Sequence, residues 1–238
     1  MAEIQKYFRQ FHENIKLNNY DENQELRDKR DIILDKLREG LKKQFEEKEE
    51  KTPTFTPYNQ GSYAMGTGIK PAGTKDYDID VGLLFNFSTD DYKPVEVKEW
   101  VYNALENHTK KGAEIKTPCV RVVYTKEGED AYHVDLAVYS DAEYNRDNKT
   151  YIAKGKPGSK PENKFWEEAD PKGLVEKVNN HFDDAEDREQ FRRTIRYLKR
   201  WKDVQFTDRG NAAPIGIGIT VSALNSFQVS KKLVDVFA

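Results

Sequence analysis

The segment YDIDVGLLFNF, residues 77–87, constrains the fold more than any other stretch of the chain. It alternates polar with apolar residues and then runs on uncharged, the pattern of a strand entering a sheet covered on both faces. Residues two apart on a strand share a face, so Asp78 and Asp80 stand side by side while Ile79 and Val81 enter the core. Adjacent carboxylates repel, and apolar surroundings make them costly unless something cationic holds them. Asp76 supplies an alternative pair, Asp76 with Asp78. The Asp78/Asp80 register is preferred because Ile79 and Val81 are both apolar, as the strand requires.

A second strand-like run, HVDLAVY, offers Asp135, a lone carboxylate among apolar residues that can reach the pair from a neighbouring strand. Three carboxylates on two strands suit two Mg²⁺ or Mn²⁺ ions, hard cations that take carboxylate and phosphate oxygens and clamp the two ends of a phosphoryl displacement. Asp135 is also suited to help deprotonate an attacking hydroxyl. His133 shares its strand face, where a histidine more often serves as a structural hydrogen-bond partner.

Upstream, QGSYAMG predicts a tight turn. Gly61 lets the backbone approach a phosphate, and Ser62 offers a hydroxyl and an N–H at the start of a short helix. Lys199, with Arg192 and Arg196 on the same helix face, suits either the remaining phosphate charge or a merely solvated surface. Each acid taken alone also has a structural reading: a cap for Asp76 or Asp78, an arginine pair for Asp80, a strand edge for Asp135.

The 238 residues suit one large domain or two lobes. Two amphipathic helices open the chain, with Leu26, Ile33, Leu37, Leu41 and Phe45 marking the long second one. KPVEVKEWVYNALENHT predicts another helix, with Val97, Val101 and Leu105 on one face. CVRVVYT and AYHVDLAVYS predict strands. The basic, Gly/Pro-rich AKGKPGSKPENK, residues 153–164, is expected to be a loop or interlobe connection, which divides the chain into residues 1–160 and 161–238. Beyond it, Asp170 and Pro171 predict a helix start. A stronger helix follows, with Phe191, Thr194, Ile195, Leu198 and Trp201 on its apolar face. PIGIGITVSALNSF is expected to be a buried helix, with a strand as the alternative. The single cysteine, Cys119, is assigned to the core and excludes an internal disulfide or a thiolate cluster. A net charge of −3 argues against a broad duplex-binding surface. With no signal-like start and no long apolar run, a cytoplasmic location away from membranes is expected.

The pattern QGSYAMGT, DYDIDVG and HVDLAVY resembles the Gly-Ser, Asp-x-Asp and third-Asp signature of the DNA polymerase β nucleotidyltransferase superfamily. Within it, the chain is most similar to the bacterial cGAS/DncV-like nucleotidyltransferases of antiphage signalling. TPCVRVVY, FWEEADPKGL and RYLKRWKDVQF extend the resemblance over most of the chain from about residue 58. It implies an α+β fold: a polymerase β-like core with a mixed sheet, and a helical C-terminal lobe, braced by a long N-terminal helix, with the active site in the cleft. It further implies that Asp78, Asp80 and Asp135 hold two metal ions, and that Gln60, Gly61, Ser62, Arg121 and Lys199 bind nucleotide. The substrates would be ATP, GTP or a pyrimidine ribonucleoside triphosphate. The product would be a cyclic di- or trinucleotide acting on a downstream effector. Linear products, transfer to a small molecule, or a catalytically silent partner-binding homologue remain as alternatives. Two departures stand out: Pro214-Ile215-Gly216 replaces the family's Pro-Ser-Ser, and KKLVDVFA ends the chain within what would be the helical lobe.

Overall fold

The computed structural model describes residues 4–17, 20–72, 77–126, 129–206 and 212–230. The alternative acid Asp76 and the last segment KKLVDVFA lie outside them. In chain order the elements are α1 (Gln5–Ile15), α2 (Tyr20–Glu46), β1 (Phe55–Gln60), α3 (Gly61–Ala64), β2 (Tyr77–Phe85), α4 (Pro94–Leu105), β3 (Ala113–Ile115), β4 (Val120–Lys126), β5 (Glu129–Ser140), β6 (Tyr151–Ala153), β7 (Trp166–Glu168), α5 (Pro171–Asn179), α6 (Ala185–Gln205) and α7 (Gly216–Ser226). They form two compact units, each discontinuous in sequence. One holds residues 1–22, 61–74 and 172–238, and the other holds 23–60 and 75–171. Neither is the single stretch that a boundary near residue 160 expects.

In the sheet unit, the described strands run in the order β1-β2-β5-β4-β3, with β6 beside β5 and β7 beside β6. β2 and β5 are parallel and the other pairs antiparallel, which makes the sheet mixed. Alternation sorts the side chains as expected: Ile79, Val81, Leu83, Val122, Val134, Leu136 and Val138 are all buried. The α4 stripe Val97, Val101 and Leu105 is buried with them, as are Leu37, Leu41 and Phe45 of α2. Phe45 meets Trp100 edge to face at 5.0 Å, and Gln44 donates to the Trp100 carbonyl, so the long helix braces this unit. Each such aromatic pair adds roughly 0.5–1.5 kcal/mol beyond its buried area.

The segment after β6 is a loop, the first of the two expected readings, and not an interlobe connection. It is the connection of the β6–β7 hairpin, closed by Lys154 N–H donating to the Phe165 carbonyl. Its composition marks a loop, but strand pairing on both sides keeps it inside the sheet unit.

The helical unit has its own core, Met65, Val178, Phe191, Ile195 and Ala223. α1 packs on α6 through Ile15 and Tyr197, and the Tyr197 hydroxyl donates to the Phe8 carbonyl at 2.8 Å. Asp184 caps α6 by accepting from the Glu186 and Asp187 N–H groups. PIGIGITVSALNSF is a helix, α7, but not the buried one expected: Ile219, Thr220 and Ala223 are buried while Ile217 and Val221 are exposed. The apolar face expected of α6 is shifted: Trp201 is exposed, while Arg196, Tyr197 and Lys199 are buried. The reason is that the carbonyls of residues 66–70 satisfy the cations, so they can lie inward.

Candidate active site

Strand register assembles one polar row across the sheet. Gln60 of β1 pairs with Asp80 of β2, Asp80 with Asp135 of β5, Asp135 with Arg121 of β4, and Arg121 with Glu114 of β3. One residue position earlier on β2, on the opposite face, Ile79 is buried against Val134. The row therefore follows from period-two geometry: the apolar neighbours fix which way every strand faces, and the polar residues share what is left.

Asp78 and His133 are also register partners, next to the row on the same face. His133 Nε2 lies 3.1 Å from Asp78 Oδ1. Burial opposes the imidazolium, but the Asp78 hydrogen bond and charge outweigh it and raise the His133 pKa above its ordinary value. Ligand atoms of Asp78, His133 and Asp135 lie within 4.8 Å of one another. Asp80 is in register with Asp135 but is not one of those three.

Arg121 grips Asp135 as a fork. Its Nε donates to Oδ1 and its Nη2 to Oδ2, each at 2.7 Å. This hydrogen bonding raises the Arg121 pKa despite partial burial. At the other end of the row, Gln60 Oε1 accepts from the Tyr139 hydroxyl at 3.0 Å and the Tyr58 hydroxyl at 3.2 Å. Burial raises both phenol pKa values, so both remain protonated donors. Gly82 makes room for the Tyr58 ring, because a Cβ there would stand 2.1 Å from it. Tyr58 lies outside the quoted motifs, Tyr139 ends HVDLAVY without a role assigned from it, and Glu114 sits on a strand of three residues, too short to show alternation.

The other candidates lie in the helical unit. Gly61, at φ 64°, opens the single turn α3, and the Ser62 carbonyl accepts from Thr67 N–H at 2.9 Å. Lys199 Nζ donates to the Thr67 carbonyl at 3.2 Å and its hydroxyl at 3.1 Å. Arg196 donates to the Gly66 carbonyl and pairs with Glu189 at 2.9 Å, and Arg200 donates to the Lys70 carbonyl at 2.5 Å. Arg192 donates to Asn179, which in turn donates to the Ala64 carbonyl. The basic face of α6 thus holds the segment after the Gly-Ser turn instead of standing in solvent. Gly216 leaves 3.9 Å between an added Cβ and Lys199 Cε, so a side chain at that position would lie against the lysine stem.

Groups of this kind, two carboxylates and an imidazole whose ligand atoms lie within 4.8 Å of one another plus a third carboxylate in register, could hold a hard divalent cation. Among the described residues no helix is long and apolar enough to cross a membrane.

Residues 53–139 match the family described as cyclic GMP-AMP synthase DncV-like, nucleotidyltransferase domain. A cyclic GMP-AMP synthase of Escherichia albertii is 28% identical over 190 residues, covering 76% of this chain and 38% of that protein. The chain thus spans under half of that relative's length. The crystal structure of Vibrio cholerae DncV, a cyclic AMP-GMP synthase, matches with a TM-score of 0.73 at 17% identity, covering 98% of this chain and 76% of that one. The Bradyrhizobium diazoefficiens CD-NTase CdnG, solved in complex with GTP, also matches with a TM-score of 0.73, at 13% identity, covering 99% and 73%. At those identities the structural likeness is one of fold. In sequence over residues 53–139 and in fold over nearly its whole length, this chain resembles the cGAS/DncV-like nucleotidyltransferases.

Proposed function

We propose that the protein is a metal-dependent nucleotidyltransferase that joins ribonucleoside triphosphates into a cyclic di- or trinucleotide. The observation that carries this reading is the row of acids on two parallel neighbouring strands, Asp80 beside Asp135 with Asp78 next to them. The E. albertii relative's name, cyclic GMP-AMP synthase, supports the cyclic product. Divalent ions held by Asp78, Asp80 and Asp135 would neutralise phosphate charge and favour ionisation of the attacking hydroxyl.

The residues themselves do the rest. Asp135 takes the proton of a ribose hydroxyl as its oxygen attacks the α-phosphorus of a second nucleotide. The bond to the bridging oxygen breaks, and pyrophosphate leaves with the electron pair. A second round on the linear intermediate closes the ring. Gly61 and Ser62 cradle the donor phosphates, Lys199 offsets their charge, and Gln60 and Arg121 hold nucleotide. Most of the acceleration comes from positioning and charge neutralisation. The setting is the bacterial cytoplasm, and the product signals to an effector in antiphage defence.

Mass spectrometry of products made from the four ribonucleoside triphosphates with Mg²⁺ or Mn²⁺ tests the reading, beside an Asp78→Asn/Asp80→Asn variant. A cyclic product made by the parent alone is expected. A linear product would replace cyclisation with oligonucleotide synthesis, and a product made equally by the variant would remove these acids from the mechanism.

A further inference from the structure

We propose that Arg121 is an internal counterion that competes with the divalent cation for Asp135, so that loading the acidic site releases a guanidinium for a nucleotide phosphate. The inference rests on the reaction proposed above. Both oxygens of Asp135 are engaged by Arg121 at 2.7 Å, one by Nε and one by Nη2. A small hard ion bonds carboxylate oxygens at about 2.0–2.1 Å, and a guanidinium directed at the same two oxygens opposes it by charge and by geometry. The two cations therefore cannot both hold Asp135 in full.

Which partner yields is set by burial. The Asp135 side chain is 13% exposed and fixed on β5 between two paired strands, whereas the Arg121 side chain is 32% exposed. Arg121 has somewhere to go. Its register partner on the other side is Glu114, whose exposed carboxylate is held only by Lys116 at 2.7 Å among the described ion pairs. An arginine between two carboxylates on adjacent strands is an element with two arrangements, and its fork also matches phosphate oxygens. Cation and nucleotide are then thermodynamically coupled: each ligand lowers the cost of moving Arg121 that the other would otherwise meet.

The test needs no turnover. Mn²⁺ binding to the full chain, followed by electron paramagnetic resonance of the free ion without nucleotide, is compared among the parent, Arg121→Gln, Arg121→Lys and Asp78→Asn. Arg121→Gln is expected to bind Mn²⁺ roughly tenfold more tightly, the order of one charge-assisted hydrogen-bond pair. Arg121→Lys keeps the charge without the fork and should fall between. In the parent, saturating Mg²⁺ alone should shift the Arg121 Nε–H resonance, a readout that holds even where a variant folds poorly. An unmoved resonance, or Mn²⁺ affinity in Arg121→Gln no tighter than in the parent, overturns the proposal while Asp78-dependent binding leaves the reaction standing. Absence of Asp78-dependent Mn²⁺ binding in every form would overturn both.

Discussion

Gly82 leaves no room for even a methyl group, because the Tyr58 ring occupies the space where a Cβ would stand. Gly82→Ala should therefore displace the ring, take the Tyr58 donor from Gln60 and cost about 1–3 kcal/mol, as overpacking does. Tyr58→Phe removes only the hydroxyl and should cost about 1 kcal/mol. Urea unfolding of the two variants separates packing from hydrogen bonding, and an unchanged midpoint in Gly82→Ala would show that the ring can move freely. The positions of Asp78, Asp80 and Asp135 on β2 and β5 were legible from period-two alternation alone, since apolar Ile79, Val81, Val134 and Leu136 dictate their face. The burial of Arg196 and Lys199 was not. A cation lies inward only when distant carbonyls meet it, and nothing near α6 in sequence announces that Gly66, Thr67 and Lys70 supply them.

Helices in this protein are tied to their surroundings by single buried side chains as much as by apolar stripes. Lys98 of α4 is fully buried, and its Nζ donates to the carbonyls of Lys116, Thr117 and Gly155, so one helix fixes the β3–β4 turn and the β6–β7 connection together. Burial lowers its pKa to about 8. Lys98→Met takes the ammonium donor from all three carbonyls, of which Thr117 keeps the Gly155 N–H, and should cost about 1–3 kcal/mol by urea unfolding, despite the better apolar match. α1 carries the opposite kind of tie. Burial, with the Arg196 charge, lowers the His12 pKa to about 4, well below the ordinary 6.5. The unfolded chain then binds more protons between those values, so the stability that neutral His12 contributes is complete above about pH 6.5 and lost as pH falls toward 4. The melting temperature of the parent should drop more steeply over that range than that of His12→Gln, and parallel curves would remove His12 as the cause. α2, α4 and α6 were legible in outline from helical periodicity, whereas α7 left a strand open as the alternative. Residues 153–164 were legible as a loop, but the β6–β7 hairpin they close was not, because β6 and β7 have three residues each and give alternation no length to appear.

The chain passes between its two units four times, at residues 22/23, 60/61, 74/75 and 171/172. Cleavage after Pro171 should therefore have unequal consequences. The fragment 1–171 keeps every segment of the sheet unit and should unfold cooperatively. The fragment 172–238 loses Met65 from its core and the carbonyls that Arg196, Lys199 and Arg200 bond, and should show no cooperative transition. Circular dichroism during heating of the two fragments checks this, and a folded 172–238 fragment would show that α5, α6 and α7 suffice by themselves. For the intact protein, ligand binding to the native state alone must raise its melting temperature. Mg²⁺ with a nonhydrolysable triphosphate should do so in the parent and not in Asp78→Asn.

The cross-strand row also works as a parity check on the gene. A strand presents each residue to one face or the other by odd or even count, so deleting one codon in β2, β4 or β5 would swap acids or the arginine for apolar neighbours such as Ile79, Val81, Val122 or Leu136 without changing composition much. Point substitutions can be absorbed one at a time, but a single-residue length change cannot. The pairing between β4 and β5 shifts register once, at Tyr124/Thr125, beyond the row and away from Arg121. Length variation compatible with activity should therefore collect there and in the β6–β7 connection, and a library of single-residue deletions would map the boundary between the two regimes.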